Sequence, residues 1–143
     1  MATNGFEFAY SLDGSIPVVR DFQVSGTGTF EPGDLVTVAS GKLTKAANTV
    51  ATVAAVMQEG RATGSDGDYM KAAIITREQV WRASMDATTY SASIGDRTQD
   101  IASSRLLDAN DAANGSLVVL DVVDDPHDTN PIGYVVFTNI MFG

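Results

Sequence analysis

The chain has 143 residues and a mass of 15.0 kDa, and its nine basic and 18 acidic residues give a formal net charge of −9. A chain of this length forms one domain and can bury a hydrophobic core. The negative charge argues against nucleic acid as a partner, because phosphate groups would be repelled. The lack of cysteine excludes disulfides, thiolate nucleophiles and cysteine-ligated metals.

The composition favours β-structure. Val, Ile and Thr outnumber Leu, Glu and Lys, and 13 glycines interrupt the chain at short intervals. No apolar stretch reaches about 18 residues, and Arg20 is the first basic residue, so we expect neither a transmembrane helix nor a signal peptide. We therefore predict a mainly β, single-domain protein that is made in a cytoplasm and has no membrane partner.

The first predicted element is an extended segment with one apolar face. Its large apolar residues alternate with small or polar ones: Phe6, Phe8, Tyr10 and Leu12. Asp13-Gly14 then allows a turn before Ile16 to Val19, although Pro17 restricts that run to an edge strand or an arm. We interpret residues 1–24 as an N-terminal arm, which either closes the core of its own subunit or lies extended on a neighbouring one.

Short strands separated by turns follow. Pro32-Gly33-Asp34 predicts a turn, and Gly64 to Asp68 predicts a loop. The stretch Val50 to Glu59 fits either helical or strand spacing, and we favour a strand because of its Val and Thr content and the stop at Gly60. The other strands predicted in this region are 35–38, 42–44, 69–76 and 79–85.

A weak internal repeat relates the second part of the chain to the first. The turn Ile94 to Thr98 resembles the turn Pro32 to Val36, 62 residues earlier. Three more pairs of segments follow in the same order: 38–43 with 101–106, 50–57 with 117–123, and 70–75 with 134–139. Two copies are too few for a stacked array, so we expect a barrel or a sandwich. The predicted boundaries are a domain of residues 25–143 with pseudo-repeats of about 30–88 and 92–143.

The sequence contains no complete catalytic or metal-binding motif. The only histidine, His127, lies among the aspartates of Asp124 to Asp128, a group that could form a solvated turn, a cation site or an acid–base site; we favour the turn. Nucleophile elbows, phosphate-binding loops and dinucleotide fingerprints are missing from the sequence. We therefore expect a protein that is not an enzyme, with no catalytic residues, no metal and no cofactor.

Two features suggest contacts between subunits. Trp81 and Arg82 follow a break between two predicted strands, and these residue types contribute much of the binding energy at interfaces. The alternative for Trp81 is a place in the core. The apolar run Ile140-Met141-Phe142 is expected in the core or at a subunit contact. We therefore predict Trp81, Arg82 and Phe142 as interface residues.

Several runs of the sequence resemble the head-decoration, or cement, proteins of tailed bacteriophages. These runs combine turn residues with apolar strand patterns: Phe30 to Val38, Gly41 to Thr44, Ile75 to Trp81 and Ile132 to Phe137. The resemblance implies a small β-barrel or β-tulip-like domain that assembles as trimers, or sometimes dimers, on the outer surface of the capsid. There it would clamp neighbouring major capsid proteins after the shell expands. The protein would be made in the host cytoplasm and be located on the virion.

The resemblance also implies a role for the N-terminal segment, because such proteins commonly send an arm along the capsid. We expect its apolar residues to bind the capsid: Phe6, Phe8, Tyr10, Leu12, Ile16 and Val18. Three alternatives stay open. The chain could be a host-receptor or carbohydrate-binding module in which Tyr69, Trp81 and Tyr90 stack on a ligand, a structural protein of the phage tail or neck, or an enzyme centred on Asp124 to Asp128.

Overall fold

The computed structural model describes residues 5–48, 52–90, 94–95, 99–110, 115–124 and 129–142. Every regular element in these residues is a strand, so the mainly β prediction is confirmed. The strands are β1 (Glu7–Ser11), β2 (Val19–Gln23), β3 (Leu35–Ala39), β4 (Lys42–Lys45), β5 (Ala55–Met57), β6 (Tyr69–Ile74), β7 (Gln79–Ser84), β8 (Ile101–Ser103), β9 (Leu106–Leu107), β10 (Leu117–Val123) and β11 (Ile132–Phe137). Across the described ranges, no helix is long and apolar enough to cross a membrane.

The strands form two main sheets and a small hairpin. The order of the five-stranded sheet is β2-β6-β5-β3-β4, that of the four-stranded sheet is β1-β7-β11-β10, and β8 with β9 forms the hairpin. Neighbouring strands are antiparallel. The turn between β3 and β4 shows why the chain reverses so tightly, since Ser40 and Gly41 both have positive φ, 51° and 77°, as the two-residue hairpin turn requires.

The internal repeat predicted from the sequence is visible in the strand pairing. Strands β2 to β6 correspond, in order, to strands β7 to β11. The pairs β2–β6, β5–β6 and β3–β4 of the first set recur as β7–β11, β10–β11 and β8–β9 in the second. A bridge between Gln99 and Leu117 takes the place of the β3–β5 pairing. The first copy therefore comprises β2 to β6 and the second comprises β7 to β11. The predicted boundary near residue 90 is one strand too late, because β7 belongs to the second copy.

Each copy curls until the strands at its two ends meet, which are β2 and β4 in the first copy and β7 and β9 in the second. In the first copy, Val24 at the end of β2 forms a parallel bridge with Leu43 in β4. In the second copy, Met85 after β7 forms a parallel bridge with Leu107 in β9. A bridge of one residue pair is not a continuous ladder, so the described strands form curled sheets and not the closed barrel that the resemblance implies.

Two hydrophobic clusters fill the molecule. The central cluster lies between the two main sheets and includes Phe6 and Phe137, whose ring centroids are 5.7 Å apart. The inner cluster lies within the curled five-stranded sheet and takes residues from all of its strands: Phe22, Val24, Phe30, Val36, Val38, Leu43, Ala54, Ala55, Met57, Met70 and Ala72. Ala55 belongs to the inner cluster and Val56 to the central one, so β5 is buried on both faces. This double burial explains why residues 50–59 show no polar alternation, and the strand interpretation of that stretch is confirmed for residues 55–57.

The predicted N-terminal arm is wrong as a separate element. Residues 7–11 form β1, which pairs with β7, and residues 19–23 form β2, which pairs with β6. The apolar face of the segment is the reason, because Phe6 is buried in the central cluster and Phe8 packs edge-on against Trp81 with 5.6 Å between ring centroids. Of the two interpretations made from the sequence, the segment closes the core of its own subunit.

Candidate binding surface

The residues predicted to bind a capsid fall into two groups. Phe6 is 2% exposed, and Phe8 is half-buried against Trp81. The other four are exposed: Tyr10 by 50%, Leu12 by 64%, Ile16 by 80% and Val18 by 59%. Phe6 and Phe8 attach the segment to the core of this chain, so the prediction that they contact a partner is wrong for Phe6 and unsupported for Phe8. The exposed group is available for contact.

Three of the exposed residues lie on residues 12–18, which we call the crossing segment because it joins β1 in one sheet to β2 in the other. Asp13 fixes its first turn. The Oδ1 atom of Asp13 accepts hydrogen bonds from the hydroxyl groups of Ser11 at 2.6 Å and Ser15 at 2.7 Å, and from the backbone N–H of Ser15 at 3.0 Å. Gly14 has a φ of 80°, a conformation that few other residues adopt.

The hydrogen bonds on Asp13 stabilise its ionised form. They lower the pKa of Asp13 from 3.8 to about 2, the Ser11 hydroxyl having the largest effect and Ser15 adding to it. The carboxylate therefore stays charged as the pH falls below 3.8, towards about 2. Both ends of the crossing segment are also tied to the sheets, because the N–H of Leu12 donates to the C=O of Glu78 at 2.7 Å and the N–H of Ile74 donates to the C=O of Val18 at 2.9 Å.

A groove of about 260 Å³ lies beside the crossing segment. Its lining comes from the segment and from the strands next to it: Ser15, Ile16, Val18, Arg20, Ile74, Thr76 and Gln79. The side chain of Gln79 is buried and fixes the groove wall. Its Oε1 atom accepts hydrogen bonds from the N–H of Thr76 at 3.0 Å and the indole N–H of Trp81 at 3.1 Å, while its Nε2 atom donates to the C=O of Ile74 at 3.1 Å. The groove is therefore formed before any partner arrives.

The three predicted interface residues have different surroundings. Trp81 is 1% exposed, so it is a core residue and its prediction as an interface residue is wrong. Arg82 is half-exposed, and a hydrogen bond with Tyr134 and then the charge of Glu7, 3.5 Å away, raise its pKa. Phe142 is 41% exposed and stacks on Phe22 with 5.9 Å between ring centroids. Arg82 and Phe142 thus present part of their surface to solvent.

The alternative sites predicted from the sequence are only partly formed. Tyr69 and Tyr90 are exposed, but the burial of Trp81 removes the third aromatic face proposed for ligand stacking. Within the described ranges, no three His, Asp or Glu side chains are grouped as metal ligands, and His127 lies with residues 125–128 outside those ranges. Asp66 accepts a hydrogen bond from the N–H of Gly26 at 2.7 Å and pairs with Lys42, as expected of a loop residue.

A buried ion pair that was not predicted from the sequence joins the two copies. Asp34 is 1% exposed, and its Oδ1 atom lies 3.1 Å from the Nη1 atom of Arg105, which also donates to the C=O of Pro32 at 2.9 Å. Lys45 lies 3.7 Å from the other carboxylate oxygen. Asp34 had been assigned to a turn, and its partner in the β8–β9 hairpin is too distant in sequence to be recognised.

No family model, characterised protein or solved structure matches this chain, so its function has to be inferred from its own residues.

Proposed function

We propose that this protein is a bacteriophage capsid decoration protein, which binds the outer surface of the expanded head and clamps neighbouring major capsid proteins. The observation that carries the proposal is the crossing segment, whose large apolar side chains are exposed and whose first turn is held by hydrogen bonds to Asp13. The runs that resemble cement proteins supply further support, since they overlap β3, β4 and β7 and cover β11.

Burial of the crossing segment would supply binding energy. Leu, Ile and Val side chains contribute about 1.5–3 kcal/mol each when they pass from water to a fully buried site. Leu12, Ile16 and Val18 are each more than half exposed, so most of this energy is still unused in the subunit. The fixed turn reduces the conformational entropy lost on binding, and several copies on one lattice would add avidity.

Such a protein stabilises the shell by selective binding. A ligand that binds the expanded state and not the unexpanded one shifts the equilibrium towards the expanded state. The net charge of −9 would keep the decorated surface soluble. We also propose that the protein is a homotrimer with Arg82 and Phe142 near its subunit contacts. Light scattering measures the oligomeric state directly.

The test is co-sedimentation with expanded heads, stripped of decoration, from the tailed phage that encodes the chain. We expect saturable binding of wild type, with fewer copies bound to unexpanded heads. Ile16→Asp should weaken binding by about tenfold or more, because a carboxylate would have to be buried at the contact. Ile94→Asp is the matched control, since Ile94 is 68% exposed and lies beside β10, at the opposite edge of the four-stranded sheet from β1.

Two outcomes would contradict the proposal. One is a wild-type protein that stays in the supernatant at every concentration, and the other is equal binding by wild type and Ile16→Asp. Binding to a glycan array without binding to heads would favour the receptor-binding module, for which the exposed Tyr69 and Tyr90 are the available stacking faces. Circular dichroism of the variants checks that each one is folded.

A further inference from the structure

Most of the described basic residues of this acidic protein pair with a carboxylate, but two do not. Eight of the nine Lys and Arg residues lie in the described ranges. Six of them have a carboxylate oxygen within 4.0 Å: Lys42, Lys45, Arg61, Lys71, Arg82 and Arg105. Among the described residues, Arg20 and Arg77 form no such pair.

One of these two arginines, Arg20, lines the groove beside the crossing segment. Arg20 is exposed, and Arg77 follows Thr76, another lining residue. On a chain that carries twice as many acidic as basic residues, a guanidinium group without a carboxylate partner is the exception. Its position next to Ile16 and Val18 places a positive charge beside an exposed apolar wall.

The carboxylates of the crossing segment and of the β6–β7 turn form no ion pair with Arg20. The Oδ1 atom of Asp13 is occupied by Ser11 and Ser15. Glu78 is exposed in the turn between β6 and β7, and its side chain makes no ion pair with the described basic residues. A carboxylate supplied from outside would therefore meet Arg20 without displacing an existing pair.

We propose that the groove binds an acidic, apolar peptide segment, in which an aliphatic side chain packs on Ile16, Val18 and Ile74 while a neighbouring carboxylate pairs with Arg20. The groove volume of about 260 Å³ lies below the range of about 300–1,000 Å³ that is usual for small-molecule sites, which favours a side chain of an extended peptide. This inference rests on the proposed function, since a surface segment of the capsid protein is the expected source of the peptide.

The probe is a set of fluorescein-labelled peptides of about eight residues, about 26 Å when extended, in which Leu and Val alternate with Asp, Asn or Lys. Binding to the full chain is measured by fluorescence anisotropy. We expect the Asp peptide to bind about threefold to tenfold more tightly than the Asn peptide, since a charge-assisted hydrogen bond adds to the same apolar contact. The Lys peptide should bind most weakly, and the preference for Asp should shrink in high salt.

Arg20→Gln should abolish the preference for Asp over Asn and leave the residual apolar binding unchanged. Lys71→Gln is the control, because Lys71 is an exposed cation on a neighbouring strand that already pairs with Asp21 at 3.0 Å. Equal affinity of the Asp and Asn peptides for wild type, absence of binding by any of the peptides, or an unchanged Asp preference in Arg20→Gln would each overturn the inference.

The failure of this inference is separable from the failure of the proposed function. Wild-type binding to heads together with undiminished binding by Arg20→Gln would remove the role of Arg20 and leave the decoration function in place. Selective binding of the Asp peptide without any binding to heads would keep the groove specificity and remove the capsid as its partner.

Discussion

In the second copy of the repeat, β7 lies between β11 and the additional strand β1, whereas in the first copy the equivalent strand β2 is at the edge of its sheet. Trp81 in β7 pairs with Val135 and is covered by Phe8 of β1. Val19 in β2 lies opposite Ala73 and is 49% exposed. Residues 19–23 of β2 are paired on one side only and meet β4 only through Val24, whereas β7 is paired on both sides; we call these the open edge and the closed edge.

The open edge coincides with the candidate binding surface. The crossing segment leaves β1 on the closed side and enters β2 on the open side, so its apolar residues have no further strand to pack against. A repeat with one additional strand can cover only one of its two equivalent edges. We infer that the apolar surface beside β2 is a consequence of this asymmetry and is the part of the molecule left for a partner.

The two copies also differ in how their hairpins are fastened. Arg105, in the β8–β9 turn, reaches into the first copy and pairs with the buried carboxylate of Asp34. Lys42, which the sequence repeat aligns with Arg105, pairs at 2.7 Å with Asp66 at the surface of its own copy. Equivalent basic residues therefore join the two copies in one case and secure a surface loop in the other.

The largest expected effect is at the closed edge. Trp81→Ala should lower the free energy of unfolding by about 3–5 kcal/mol, because it removes the largest buried side chain from the central cluster. Val19→Ala at the open edge, on the strand equivalent to β7, should cost about 0.5 kcal/mol or less. Urea unfolding curves of both variants measure the difference, and similar losses at the two positions would contradict the described asymmetry.

The next largest effect distinguishes the ion pair of the β8–β9 hairpin from that of the β3–β4 hairpin. Arg105→Ala should lower the free energy of unfolding by about 2–3 kcal/mol, since it leaves the carboxylate of Asp34 buried with only the more distant Lys45 as a cation. Lys42→Ala should leave the urea midpoint close to that of wild type, because its pair with Asp66 is exposed to solvent. A wild-type midpoint for Arg105→Ala would show that the buried pair does not join the copies.

The smallest effect is the pH dependence of the crossing segment. Because the folded pKa of Asp13 lies near 2 and its ordinary value is 3.8, the ionised carboxylate stabilises the fold above about pH 4, and this contribution is lost as the pH falls through 2. NMR titration of the Asp13 carboxyl carbon should give a midpoint near 2. In the double variant Ser11→Ala, Ser15→Ala the midpoint should rise towards 3.8; a midpoint that stays near 2 would mean that the hydroxyl groups do not hold the turn.

Local patterns in the sequence predicted most of the strands but not where they lie. The alternation of Phe6, Phe8 and Tyr10 correctly indicated an extended segment, yet its pairing with β7 depends on contacts distant in sequence. β5 was ambiguous because burial on both faces removes the polar alternation of a strand. The sequence repeat indicated the strand order of both copies, whereas the burial of β7 and the exposure of β2 depend on the neighbours of each strand.

The same limit applies to the candidate site. Leu12, Ile16 and Val18 were identified from their apolar character, and their exposure is what makes them candidates. Arg20 was not identified, because nothing in a sequence tells which cations lack a carboxylate partner in the fold. Its position in the run Pro17-Val18-Val19-Arg20 was the available signal, a basic residue directly after an exposed apolar run.

The most direct test of the central claim is hydrogen–deuterium exchange of the protein, alone and bound to expanded heads. Our expectation is that binding slows exchange in peptides covering residues 11–20 and 74–79, at the open edge and its groove, and leaves the β8–β9 hairpin unchanged. Slowed exchange confined to the second copy, with residues 11–20 unaffected, would contradict it.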